Sequence, residues 1–408
     1  MKRSLTATLL STALTLSLIG GVIPGEVCNA ATIPGSVGDS EEEYKWTVLC
    51  YFCGSDLESW DEECGCASED IIEMMDATTG CDDVRFVVRT GGSDCDHEYF
   101  KNDSTLTFVI ENGEATSVGK TELRDMGETD TLKDFLKYGV EMYPAEHTAV
   151  ILWNHGGGAM GGCCYDELFE DSHLTLPEMR DAFDEACAGY DKKLDFIAYD
   201  CCNMACLELA NILTPYADYF IASQETMPGT GFDYVGFGSY LCEHSDSDAE
   251  TAGLKLCECY WQEGIDLYDS DGITVSMTDL NAMEEFMVDF REFCEGLSDV
   301  SGRFEGQDDF IDELGASGDF GFGTYDLATF LDICAPYTTD GEELSSELER
   351  TVIYAQGTGS RGSYSGLSIY IPMFGFFDDE EKELFSEICV DRHFLKFVGS
   401  MPWIDIAA

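Results

Sequence analysis

The 408-residue chain predicts an α/β protein: a mostly parallel central sheet between two helical layers, with additional helices towards the C-terminus. Apolar runs of strand length, Trp46 to Phe52, Val84 to Arg89, Ala149 to Trp153 and Leu194 to Tyr199, are separated by amphipathic helical stretches. That succession implies parallel pairing through right-handed crossovers. Two of these runs break off abruptly into residues with reactive side chains or glycines, Asn154-His-Gly-Gly-Gly158 and Asp200-Cys-Cys-Asn203. In open sheets of this class, ligands bind in the crevice outside the carboxyl ends of the strands.

Taken in order, Lys2 and Arg3 precede a mainly apolar run from Leu5 to Ile23, then Pro24-Gly25 and Ala30-Ala31. This is the pattern of a secretory signal over 1–30, cleaved after Ala30. A membrane anchor is the alternative, and no later stretch is long and apolar enough to span a bilayer. Residues 31–43 are polar and glycine-containing, a linker. A buried strand follows at Trp46 to Phe52. Leu57 to Met75 contains a helix with Ile71, Ile72 and Met75 inward, Val84 to Arg89 is the second strand, and Leu106 to Ile110 belongs to an edge hairpin. Asp130 to Tyr143 is a helix that Thr129 or Asp130 caps and Pro144 ends, with Leu132, Phe135, Leu136 and Val140 on its apolar face.

Beyond the strand ending near His155, a helix is expected near Glu178 to Ala188, a strand at Leu194 to Tyr199, a helix from Asn203 to Leu213 and a strand at Tyr219 to Ser223. Helices follow at Asp248 to Ile265, Leu280 to Leu297 and Tyr325 to Ala335, with a strand at Ile273 to Met277 and a last one at Gly366 to Pro372. No repeat of solenoid period is present. One domain over 44–405 accounts for the pattern, and 246–360 leaves room for a smaller subdomain.

The chemistry concentrates at the two strand ends. A thiol is only a few per cent thiolate near neutral pH, and a neighbouring imidazole both deprotonates it and later protonates the leaving amine. His155 and a cysteine at 201 or 202 therefore form a Cys/His dyad in outline, and Gly156 to Gly158 let backbone N–H groups approach a reacting carbonyl. His97, His147, His173, His244 and His393 lack this strand-end glycine context and are read as core or surface residues.

These blocks, Ala149-Val-Ile-Leu-Trp-Asn-His-Gly and Phe196-Ile-Ala-Tyr-Asp-Cys-Cys, resemble the clostripain family of cysteine peptidases, relatives of caspases, legumains and gingipains. In that family an apolar strand ends in His-Gly and the next in Asp-x-Cys. Trp46 to Glu58 and Tyr219 to Tyr234 are similar to further family segments, so the likeness covers roughly 44–403. The resemblance implies an α/β/α sandwich of the caspase-hemoglobinase type. It implies Cys202 as nucleophile, His155 as general base and acid, the amides of Gly156 and Cys202 as oxyanion donors, and Asp200 as the acid that selects Arg, with Lys tolerated. Strand alternation agrees with Cys202 over Cys201, since adjacent side chains face opposite ways. As a bland alternative, Asp200 caps the helix expected from Asn203. No third acid is required, which leaves Asn154 and Asp166 as bystanders.

Composition fits an exported enzyme acting on protein or peptide substrates with basic residues. With 81 acidic and 21 basic residues the formal charge is −60, which argues against nucleic acid or anionic lipid as partners and favours cationic substrates or bound cations. The 19 cysteines leave two readings open: some disulfides, or many free thiols. Cys64/Cys66, Cys163-Cys164, Cys201-Cys202 and Cys257/Cys259 form no zinc-ligand pattern with histidine. The chemistry requires no cofactor. Calcium is implied by the resemblance alone, with Asp246-Ser-Asp248 and Asp269-Ser-Asp271-Gly272 as local candidates, neither of them a complete calcium loop.

Members of the family often mature by self-cleavage after a basic residue between the two blocks. Here that interval holds only Arg180, Lys192 and Lys193, which argues against it. The rival reading is a catalytically inactive surface or adhesion protein on the same fold; a third is an amidase or peptide ligase using the same thioester chemistry.

Overall fold

A computed structural model describes residues 44–60, 64–190, 192–268, 272–298, 314, 319–338, 341–359, 363–372, 375–376 and 378–401. The expected signal segment 1–30 and linker 31–43 lie outside the described residues. The strands are β1 Trp46–Cys53, β2 Val84–Gly91, β3 Ser104–Glu111, β4 Glu114–Glu122, β5 His147–Trp153, β6 Cys163–Asp166, β7 Ser172–Leu174, β8 Leu194–Asp200, β9 Ala217–Ala222, β10 Thr274–Asp279, β11 Thr324–Asp326, β12 Val352–Gly357 and β13 Ser368–Tyr370. Nine of them form one sheet in the order β12-β10-β9-β8-β5-β1-β2-β3-β4. Its five middle strands, β9, β8, β5, β1 and β2, run parallel, and an antiparallel pair extends each side. The mostly parallel sandwich expected from the sequence is thus the observed architecture.

Alternation along the middle strands sends side chains into two cores. Trp46, Val48 and Phe52 of β1, Ile151 and Trp153 of β5, and Phe196 and Ala198 of β8 pack on one face. There the helices Cys66–Thr78, Tyr234–Glu243 and Ala249–Tyr268 cover the sheet. Leu49 and Tyr51, Val150 and Leu152, and Ile197 and Tyr199 face the other way. They meet the helices Thr129–Met142, Leu176–Cys187, Leu207–Leu213 and Leu280–Ser298. Each large side chain wholly removed from water contributes roughly 1.5–3 kcal/mol, so burial on both faces fixes the register of the middle strands. A one-residue slip would exchange the two sets of side chains.

Several boundaries moved for local reasons. The helix Leu176–Cys187 starts earlier than expected because Thr175 and Glu178 form a capping box, which satisfies backbone donors of the first turn. The helix expected from Asn203 begins only at Leu207. Asn203 has φ +60°, and its side-chain amide donates to the carbonyls of Gln224, at 2.9 Å, and Phe320, at 3.3 Å. The helix expected within Leu57 to Met75 is Cys66–Thr78, preceded by the short helix Ser55–Ser59; Ile71 is buried as expected, whereas Ile72 faces outward. The last expected strand is only β13, paired with β11 outside the main sheet.

Segment 246–360 supplies β10 and β12, the antiparallel edge beyond β9. β12 follows directly on the helix Gly341–Thr351; with no turn residues between them, no local signal marked it. Cys81 and Cys242 form a disulfide between the strand-bearing segment before β2 and the helix Tyr234–Glu243. Cys50, Cys53, Cys163, Cys164, Cys201 and Cys206 are buried thiols, so both readings of the cysteine content hold in part. No helix among the described residues is long and apolar enough to cross a membrane.

Candidate active site

The pairing of β5 with β8 sets Trp153 opposite Asp200. His155 and Cys202 each lie two residues past that pair, so parallel register carries both to the same end of the sheet. Together with Leu57, Asp200, Met227 and Gly231 they line one cavity of about 270 Å³. The turns that bear them are in direct backbone contact. A Cβ on Gly156 would lie 2.1 Å from the Cys202 carbonyl oxygen and 3.0 Å from its nitrogen, so glycine is needed there for the two strand ends to meet. Asn154 locks the first turn from below: its amide donates to Cys53 O at 2.7 Å, and its Oδ1 accepts from Tyr165 N at 2.7 Å.

The two adjacent cysteines have opposite fates. Cys201 is buried in the core on one face, its Sγ donating to Leu152 O at 3.5 Å, and burial pushes its thiol well above the ordinary range. Cys202 is half-buried at the cavity wall, and its Sγ accepts from the Met227 N–H at 3.2 Å. Burial raises its pKa, and the nearby Asp200 carboxylate adds to that; the N–H groups of Met227, Gly156 and Cys202 itself oppose it. The resting sulfur is therefore a thiol that needs a base. The Gly156 and Cys202 amides lie beside the sulfur.

His155 is held from outside by a residue the sequence had not singled out. Its Nε2 lies 2.7 Å from Asp56 Oδ1 in the short helix Ser55–Ser59 that follows β1. A carboxylate accepting from Nε2–H leaves Nδ1 as the basic nitrogen. Asp56 sits just beyond the carboxyl end of β1, the same edge that carries His155 and Cys202; that placement was the available signal. Asp166, read as a bystander, is buried and accepts from the backbone of Met126 at 2.8 Å and Leu168 at 2.9 Å. It braces the β6 turn and lies outside the cavity lining.

Asp200 is buried, at 5% exposure, and does not cap a helix: the N-cap of the following helix is Cys206. Its Oδ2 accepts from Phe232 N–H and from the Tyr234 hydroxyl, each at 3.0 Å, which leaves Oδ1 for a ligand. Burial is the main cause that lifts it to about 7; the two donors oppose the shift and Glu73 adds to it. Around it, Asp70 is pushed well above the carboxylate range by burial and by Asp200, and Glu263 reaches about 7 through burial, Asp233, Glu73 and Asp200. This group of acids is short of positive charge. Gly231, at φ +59°, lets the chain cross over the carboxylate, since a Cβ there would lie 2.6 Å from Asp200 Oδ2.

Of the calcium candidates, Asp246 and Asp248 are engaged in protein contacts. Asp246 pairs with Lys45 at 2.8 Å, Asp248 accepts from the Thr251 N–H at 2.8 Å, and Asp269 and Asp271 lie outside the described residues. Between the two strand ends, Arg180 sits inside a helix, paired with Asp181 and Glu387. Lys192 and Lys193 directly precede β8, with Lys192 Nζ donating to Ala145 O and Glu146 O and Lys193 Nζ to Asn281 Oδ1.

The sequence profile described as the clostripain family matches residues 51–361, a span that takes in Asp56, His155, Asp200 and Cys202. The chain belongs to the clostripain family. Clostripain of Hathewaya histolytica is 27% identical over a match covering 49% of this chain and 42% of that one, so the match spans under half of that relative's length. Among solved structures, a secreted C11 cysteine protease from Bacteroides thetaiotaomicron, in complex with an irreversible peptide inhibitor, superposes with a TM-score of 0.62 at 18% identity, covering 85% of this chain and 100% of that one. An inactive zymogen C11 protease from Parabacteroides distasonis gives 0.63 at 18% identity, covering 88% and 99%. These likenesses show that the clostripain-family chain has the fold of the C11 proteases.

Proposed function

We propose that this clostripain-family protein is a secreted cysteine endopeptidase that hydrolyses peptide bonds after Arg or Lys. The observation that carries the reading is the meeting of His155 and Cys202 at one cavity whose wall includes the buried carboxylate of Asp200. In this mechanism a substrate guanidinium or ammonium pairs with Asp200 Oδ1, which sets the scissile carbonyl beside Cys202. Nδ1 of His155 takes the thiol proton as sulfur attacks, the Gly156 and Cys202 amide N–H groups donate to the oxyanion, and His155 returns the proton to the leaving amine. Water then hydrolyses the thioester with His155 again as base, releasing the acid and restoring the thiol. The chemistry draws only on side chains and amides of this chain. A digest of a peptide library by wild type and by Cys202→Ala tests the whole reading: cuts after Arg and Lys with wild type alone support it, and identical patterns from both proteins overturn it.

Asp56→Asn keeps the shape of the orienting residue and removes its charge. The pair is exposed, with side chains 42% and 70% accessible, so the expected loss is only about tenfold, borne by kcat with KM unchanged. Steady-state kinetics on one Arg substrate check this; an unchanged kcat rules out an orienting role.

Activity should also track the charge on Asp200. Its folded-state pKa is raised to about 7, so below that pH the free pocket holds a neutral acid that cannot pair with a cation. kcat/KM for an Arg substrate is therefore expected to fall as pH drops from 8 to 6, more steeply than for a substrate with an uncharged side chain at that position. Parallel profiles for the two substrates would remove Asp200 from recognition.

A further inference from the structure

Away from the cavity, three side chains of different chemistry converge between the segments that leave β1 and β2. One ligand atom from each of Glu58, Cys95 and His97 lies within 4.8 Å of the other two. The Glu58 side chain is wholly buried and that of His97 is 12% exposed, with Cys95 at 8%. His97 Nε2 stands 3.0 Å from Glu58 Oε1, yet the ring nitrogen is buried without an aligned hydrogen-bond partner. Buried polar atoms are nearly always satisfied, so an imidazole nitrogen that stands beside a carboxylate without an aligned hydrogen bond, with a buried thiol close by, is the arrangement of a site that receives a further atom.

The surroundings hold the three groups in place. Glu58 Oε2 accepts from the Ser68 N–H at 3.0 Å and Oε1 from the Ser68 hydroxyl. Cys95 Sγ lies 3.5 Å from Ser93 Oγ, whose hydroxyl also donates to Ser55 O at 2.7 Å. The backbones are zipped by Gly54 N–H to Gly91 O at 2.8 Å and Ser55 N–H to Gly92 O at 2.9 Å, and Lys101 and Asp96 close the far end of the loop at 2.6 Å. Outer contacts of this kind orient ligands around a metal.

Donor chemistry selects the ion. One sulfur, one imidazole nitrogen and one carboxylate oxygen suit zinc and its neighbours, whereas calcium and magnesium take oxygen donors. Tetrahedral zinc with bonds of 2.0–2.3 Å holds its ligand atoms roughly 3.3–3.8 Å apart; His97 Nε2 and Glu58 Oε1, at 3.0 Å, are already near that spacing, and all three atoms lie within 4.8 Å of one another. The histidine context at strand ends could not reveal this set, because its members come from two different loops.

We propose that Glu58, Cys95 and His97 bind one divalent cation of the zinc class, with water in the fourth position. The ion braces the short helix Ser55–Ser59, which carries Asp56 to His155 and Leu57 to the cavity wall; the consequence for catalysis, though not the binding itself, rests on the function proposed above. On binding, Cys95 Sγ forms a bond to the metal and its proton leaves to solvent, so affinity rises with pH.

The test uses purified, metal-stripped protein carrying Cys202→Ala, which removes the other thiol that stands near an imidazole. Titration with cobalt(II) is expected to give a thiolate charge-transfer band that saturates at one equivalent and is bleached by one equivalent of zinc. In the same background, Cys95→Ser should abolish the band, and His97→Gln should weaken cobalt binding at least tenfold. Amide exchange across residues 55–59 should slow on zinc addition. No stoichiometric cobalt binding, or a band that survives Cys95→Ser, overturns the proposal. If Cys95→Ser does not fold, alkylation of Cys95 with and without zinc, mapped by mass spectrometry, decides: protection supports the site and equal labelling sinks it. Each readout is independent of peptidase activity, so failure here leaves the function intact, and loss of activity elsewhere leaves the site intact.

Discussion

Cys202→Ala is expected to lower kcat/KM by about 10⁴-fold or more while leaving the thermal midpoint within a few degrees of wild type. The chemical loss is complete because no other group can form the thioester. Cys201, one residue away, is buried in the core with its sulfur committed to Leu152 O. The structural loss is small because Cys202 is only half-buried and gives up a single weak acceptor for the Met227 N–H. A thiol-reactive inhibitor carrying Arg should label wild type at Cys202 alone, as seen by mass spectrometry of the intact chain. Residual turnover above about 1% of wild type would move the nucleophile elsewhere. Absence of both labelling and turnover would favour the inactive-fold alternative, and transfer to added amines in place of hydrolysis would favour a ligase.

Asp200→Asn should cost roughly 10²- to 10³-fold in kcat/KM on Arg and Lys substrates and far less on substrates with an uncharged residue there. The substitution is isosteric, and its oxygen can still accept from Phe232 N–H and the Tyr234 hydroxyl, so the pocket keeps its shape. What it loses is the charge that a buried guanidinium requires. A second consequence follows from the raised pKa. The unfolded chain ionises Asp200 near the ordinary aspartate value of 3.8, whereas the folded chain holds the proton to about 7. Between those values the native state binds more protons than the unfolded state, so stability contributed by this group falls as pH rises through the window. Asn carries no such cost. The variant should therefore melt higher than the unliganded wild type at pH 8 and close to it at pH 4. Unchanged Arg preference, or a variant that melts lower at pH 8, contradicts this account.

Much of the site could be read from the chain because catalysis of this kind is written at strand ends. The runs Ala149 to Trp153 and Leu194 to Tyr199 are apolar on both faces, and His155 and Cys202 stand at equal distances beyond the paired residues Trp153 and Asp200. Asp56 escaped notice because its role depends on β1 lying beside β5, a pairing that joins residues about a hundred positions apart and has no local mark. The late helix start at Leu207 was equally hidden, since the positive φ of Asn203 answers to the carbonyls of Gln224 and Phe320, which arrive from other segments.

The sequence by itself determined the α/β class, the middle strands and the standing of His155, Gly156, Asp200 and Cys202 at two strand ends, because burial on both faces and abrupt polar endings are local properties of a chain. Only the tertiary structure decided that Asp56 holds His155, that β10 and β12 extend the same sheet, that Asp200 is a buried acid with no ion pair among the described residues, and that Glu58, Cys95 and His97 converge. Each of these rests on distances between loops remote in sequence, and such distances are fixed by the register of a sheet and the packing of its two cores.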